Sequence, residues 1–134
     1  MKLLFKGVAP LLTYLHDPHN RREYTLEDNK YKNIRYIIYD NGSHPTAYIG
    51  IGTKHKLAGV HYDRIDIDVH GGLTYSAYSG GYFLPKGYYW LGWDYAHFGD
   101  YKAYDPKGSL GTKKWTYKEI LTEALKAIEQ FKKL

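Results

Sequence analysis

Toward the end of the chain, apolar positions recur with helical spacing. Tyr117, Leu121, Ala124, Leu125, Ile128 and Phe131 form one stripe, with Lys118, Glu119, Glu123, Lys126, Glu129 and Lys133 filling the rest. Thr116 and Glu119 have the spacing of a capping box, which satisfies the first orphan amides of a helix. Trp115 and Ile120 flank the cap where a hydrophobic staple would stand. The pattern predicts one C-terminal helix packed on a sheet, with Trp115, Leu121, Leu125 and Ile128 buried.

Upstream the periodicity is that of strands. Ile34–Tyr39 and Thr46–Ile51 are short apolar runs joined by a loop dense in turn formers, and they read as a hairpin. Residues 64–70 alternate strictly, sending Ile65, Ile67 and Val69 to one face and Asp66, Asp68 and His70 to the other. Tyr88–Asp94 is a dense aromatic run, Lys2–Val8 has the composition of a further strand, and residues 16–32 and 99–114 read as loops. The expected fold class is α+β: a mainly antiparallel sheet with one amphipathic C-terminal helix.

Two strand faces suggest a pocket. Tyr48, Gly50 and Gly52 share one face of the hairpin, and Trp90, Gly92 and Asp94 share one face of the aromatic strand. If those faces coincide, glycines form a floor without side chains, with Trp90 and Tyr48 as walls and His70 and Asp94 at the strand ends. Glycine inside a strand marks close approach by a ligand or by another backbone.

Length and composition narrow the classes. With 134 residues there is room for one core, so residues 1–134 are expected to form a single domain. The absence of cysteine excludes disulfides, a thiolate nucleophile and cysteine-ligated metal. The N-terminal apolar run is interrupted by Lys6 and Pro10, and no stretch reaches the roughly 18 residues of a membrane span, so a cytoplasmic protein without membrane contact is expected. A net charge of +5 favours anionic partners. Residues 61–100 nevertheless carry −3 and the remainder +8, with the bases scattered rather than striped, so stable DNA binding is not expected. Sixteen tyrosines imply either strand packing or a surface that recognises something flat and polar.

Two polar constellations concentrate the chemistry: HGGLTYS over residues 70–76 and WLGWDYAHFGD over residues 90–100. In the first, the amides of Gly71 and Gly72 can turn toward an anion, and Thr74 and Ser76 add hydroxyls. In the second, Asp94, His97 and Asp100 stand three apart, so a helical turn would align them as oxygen and nitrogen ligands for a divalent cation, although Gly99 opposes the helix. No metal site and no cofactor are assigned on that basis. His70 and His97 have the chemistry of a general base and general acid near neutral pH, with Asp94 or Asp100 orienting one imidazole.

The double motif resembles a family of small phage and mobile-element proteins with the pattern HGG(L/I)T(Y/F)S followed by WxGFDCAHxGD. Residues 54–63 are similar to that family's GHPLYGxxYD segment, so the resemblance covers roughly residues 46–100. Trp93 and Tyr95 stand where the family has Phe and Cys, and Thr53-Lys54 replaces the glycine before His55. The resemblance implies a phage setting inside a bacterial host and names no reaction. By analogy with the habits of small phage proteins, the expected function is counter-defence. A nucleotide-like immune signal would be sequestered or hydrolysed, with His70, His97 and Asp94 in the catalytic roles. Gly71, Gly72, Thr74, Ser76, Tyr48, Trp90 and Asp100 would bind it. The alternative is a protein–protein inhibitor of a host defence nuclease that uses a tyrosine-rich surface; homo-oligomerisation stays open under either reading.

Overall fold

The computed structural model describes residues 23–79, 83–102 and 112–134; the expected strand Lys2–Val8 lies outside them. Strands β1 (Tyr24–Tyr31), β2 (Ile34–Asp40), β3 (Pro45–Gly52), β4 (Tyr75–Ala77) and β5 (Tyr88–Asp94) precede helix α1 (Tyr117–Phe131). They form one antiparallel sheet in the order β1-β2-β3-β5-β4, an α+β arrangement. No helix among the described residues is long and apolar enough to cross a membrane.

Helix α1 covers one face of the sheet. Tyr117, Ile120, Leu121, Ala124, Ala127, Ile128 and Phe131 pack against Tyr36, Ile38, Ala47, Ile49, Ile51, Tyr89, Leu91 and Trp93. The capping box forms as expected: Thr116 Oγ1 accepts from the Glu119 amide at 3.2 Å, and Glu119 Oε1 accepts from the Thr116 amide at 3.0 Å. Leu125 and Trp115 are only partly buried, contrary to expectation. Leu125 sits on the shoulder of the stripe, and Trp115 is drawn sideways to Asp100.

Two element assignments fail for physical reasons. Residues 24–31, read as loop, form the edge strand β1. Its polar sequence needs little burial because pairing with β2 supplies the hydrogen bonds, and charge is favoured on an exposed edge. The connecting turn puts Lys32 and Asn33 at φ of 50° and 66°, the geometry of a two-residue hairpin loop without the usual glycine. Residues 64–70, read as a strand, are outside the sheet, because β5 is already paired on both sides, with β3 and β4. Ile65, Ile67 and Val69 are buried at period two as predicted. The backbone of this strap is served by helix side chains instead. Asp68 N donates to Gln130 Oε1 at 2.7 Å, Gln130 Nε2 donates to Asp68 O at 2.9 Å, and His70 N donates to Glu123 Oε2 at 3.1 Å.

On the opposite sheet face the glycine floor is occupied by the protein's own rings. Tyr48 pairs with Gly92 and Trp90 with Gly50, and a Cβ on either glycine would overlap the facing ring. Trp90 is fully buried, and its indole donates to Pro85 O at 3.0 Å. Phe83 stacks on Tyr39 at 3.8 Å, and Leu84 helps to close this second core.

One carboxylate lies within the main core. Glu27, at the bulge of β1, is 5% exposed and accepts a long hydrogen bond from Tyr36 at 3.5 Å, with the Tyr117 hydroxyl nearby. Burial raises its pKa despite these neighbouring donors. The folded state therefore holds the proton more tightly than the unfolded chain. Stability from this group is complete below the unfolded value of about 4.3 and falls as pH rises through the folded one. Glu27→Gln should raise the melting temperature by a few degrees at pH 7, with the gain shrinking below pH 4. Thermal unfolding followed by circular dichroism at both pH values checks this; a pH-independent effect would contradict it.

Candidate functional site

The strap ends in a tight turn. Gly72 N donates to Val69 O at 2.8 Å, while Gly71 and Gly72 take φ of 71° and 77°. These left-handed values suit glycine. Thr74 N then donates to Gly92 O at 2.9 Å, which carries the chain from the helix side to the sheet edge and leaves His70 at the crossing. The Gly72 amide is consumed within the turn, so the expected pair of anion-facing glycine amides is not available.

After β5 the chain turns again. Tyr95 N donates to Pro45 O at 3.1 Å, and Asp94 Oδ1 accepts from Ala96 N at 3.1 Å. Asp100 N donates to His97 O at 2.9 Å, His97 N donates back to Asp100 Oδ2 at 2.9 Å, and Gly99 has φ of 90°. Lys102 Nζ closes the loop by donating to the carbonyls of His97 and Asp100. This is a turn and not the helix that would align Asp94, His97 and Asp100. Asp94 faces His97, and Asp100 faces His70. No group of three His, Asp or Glu side chains suited to a metal ion occurs among the described residues.

The two motifs meet through their rings. The His97 imidazole lies over Gly71, where a Cβ would overlap it. It stands perpendicular to the His70 ring at 5.3 Å between centroids. His70 stacks in parallel on Tyr95 at 5.2 Å and rests against Trp115 at 4.7 Å. Each imidazole has its own carboxylate: His70 Nε2 is 2.7 Å from Asp100 Oδ2, and His97 Nε2 is 3.3 Å from Asp94 Oδ1. The first is a hydrogen bond. The second is an ion-pair distance without hydrogen-bond alignment, and it leaves the solvent-inaccessible His97 Nε2 unsatisfied. Thr74 Oγ1 donates to the other oxygen of Asp94 at 3.1 Å.

Asp100 organises the cluster. It is 3% exposed, and it also accepts from Trp115 Nε1 at 2.8 Å. Burial pushes its pKa up, but the bonds from Trp115, His70 and the His97 amide outweigh burial and leave the carboxyl below its usual value. Its stabilisation is therefore present above the unfolded value of about 3.9 and is lost as pH falls through the lower folded one. Trp115 Nε1 and the His97 amide can only donate, so the ionised carboxylate requires His70 Nε2 to donate as well. In the neutral ring, Nδ1 is then a free acceptor, with no partner among the described residues. Behind His70, Tyr95 donates its hydroxyl to Glu123, and Trp93 Nε1 donates to Tyr95 at 2.9 Å. Burial and the Glu123 carboxylate push the Tyr95 hydroxyl far above the usual phenol range, so it remains a donor at neutral pH.

His70, Gly71, Thr74, Asp94, His97 and Asp100 thus converge, and Gly72 lies beside them. The structure does not bring Ser76, Tyr48 or Trp90 to the cluster. Ser76 Oγ accepts from Tyr62 N at 3.1 Å, and the two aromatics are buried in the second core. Four contributors were not legible as site residues: Tyr95, Lys102, Trp115 and Glu123. A groove of about 340 Å³ along α1, lined by Asp68, Thr122 and Lys126 among others, adjoins the cluster through Trp115 and Glu123. Comparison with protein-family models, with characterised proteins and with solved structures finds no match for the chain.

Gly71 and Gly72 both have left-handed backbones, but only Gly71 lies under a ring. Alanine at either position should cost roughly 1–2 kcal/mol in backbone strain. Gly71→Ala alone should also displace the His97 imidazole, read as a change in its NMR resonances, while Gly72→Ala leaves them in place.

Proposed function

We propose that His70 and His97 act as an acid–base pair on a phosphodiester of a nucleotide-like ligand. The observation that supports this is the paired arrangement itself: two perpendicular imidazoles 5.3 Å apart, each backed by a separate carboxylate, with side chains 24% and 35% exposed. His70 Nδ1, free to accept, takes the proton of the attacking water or hydroxyl. His97, in its protonated form, gives the proton of Nδ1 to the departing oxygen, since its Nε2 is turned toward Asp94 and shut off from solvent. No Ser, Thr or Cys nucleophile is hydrogen-bonded to either imidazole among the described residues, which favours direct displacement over a covalent intermediate. Phe98, 98% exposed beside His97, offers a flat apolar face to a base.

The family resemblance suggests a setting for this chemistry, phage counter-defence against a nucleotide immune signal. A tyrosine-rich inhibitory surface has less behind it. Among the described tyrosines only Tyr78, at 51%, is strongly exposed, and most others are buried or half-buried.

The test is incubation with a panel of linear and cyclic oligonucleotides, with products read by mass spectrometry. Cleavage is expected, with a bell-shaped pH profile, and His70→Ala or His97→Ala should reduce turnover by about 100-fold or more. Recovery of intact ligand with a raised melting temperature would replace hydrolysis with sequestration. Neither product nor thermal shift across the panel would overturn the small-ligand reading.

A further inference from the structure

Three glycines share the sheet face opposite α1, and only two have a packing reason to be glycine. Gly50 and Gly92 each accommodate an aromatic ring, as described above. Gly52 has no left-handed φ, and no atom of the described residues lies within 4 Å of where its Cβ would be. Gly52 is the exposed last residue of β3, where its carbonyl accepts from His55 N at 3.0 Å, and without a side chain it leaves the backbone open to close approach. Gly52 lines a cavity of about 370 Å³, a size that takes small ligands. The cavity lies at the far end of β3 from the strand pair Thr46–Asp94, about 20 Å away at the usual strand rise.

Its walls combine the rings of His55 and Tyr88 with the apolar side chains of Ile34, Ile51 and Phe131. His55 Nδ1 accepts from Leu57 N at 3.0 Å, so the neutral ring carries its proton on Nε2, a donor with no partner among the described residues. Two lysines border the cavity, Lys32 and Lys132. Lys32 is neutralised by Glu129 at 2.7 Å, whereas Lys132 makes no ion pair among the described residues. The cavity wraps the end of the sheet, with Gly52 and Tyr88 on the face opposite α1 and Ile51, Phe131 and the His55 ring packed on Phe131 on the helix side, so that a planar ring resting against this lining and a single negative charge meeting Lys132 would suit it.

We propose that this cavity is a second ligand site, separate from the histidine pair, for a planar aromatic ring bearing one anionic group. The test is titration of the full chain with 2-naphthoate followed by amide NMR, in parallel with the uncharged 2-naphthamide. Naphthoate should shift the amides of Asn33, Gly52 and His55 and leave those of residues 94–100 in place. Gly52→Leu, whose side chain enters open space, should abolish the shifts with the fold retained. Lys132→Gln should weaken naphthoate at least tenfold and leave naphthamide unaffected, which decides the matter even if Gly52→Leu does not fold. The proposal is overturned if naphthoate shifts none of these amides, if well-folded Gly52→Leu binds it as the wild type does, or if Lys132→Gln does not change its affinity.

Discussion

A carboxylate taken out of water must be met by donors, and Asp100 is met from three directions. Trp115 reaches it from the entry of α1, His70 from the end of the strap, and the His97 amide from the turn that Asp100 itself closes. Segments separated by up to 45 positions are joined at one charged group. The histidine pair therefore depends on docking of the helix, because Trp115 and Glu123 both belong to it or to its approach. It depends equally on Gly71, which gives the His97 ring its seat.

The same economy governs the sheet. One helix can cover only one face of five strands, so the other face must find its own cover. It does so by laying Tyr48 and Trp90 across glycines on the neighbouring strand. The glycines serve as receptacles for rings and not as the floor of an open pocket. Among the described residues seven tyrosines are buried and only Tyr78 is strongly exposed, so tyrosine here serves cores more than surfaces.

Local patterns foretold local structure. The capping box and the apolar stripe identified α1, and the aromatic and β-branched runs identified β2, β3 and β5. Alternation in residues 64–70 identified the buried side chains correctly, but it could not show that the strap's backbone partners are Gln130 and Glu123 and not a strand. Nothing in the polar run of β1 distinguishes it from a loop until β2 offers it a ladder. The histidines and their carboxylates were legible because each motif is contiguous. Glu123 and Trp115 were not, since their roles arise from contacts 53 and 15 positions away and each already had an ordinary helical explanation.

Ionised Asp100 fixes the His70 tautomer and leaves Nδ1 unprotonated in the neutral ring. Long-range proton–nitrogen correlation of the imidazole nitrogens, recorded on the neutral ring, tests it directly. His70 is expected to carry its proton on Nε2, with Nδ1 showing the shift of an unprotonated ring nitrogen. A proton on Nδ1, or the averaged shifts of an unconstrained imidazole, would contradict it.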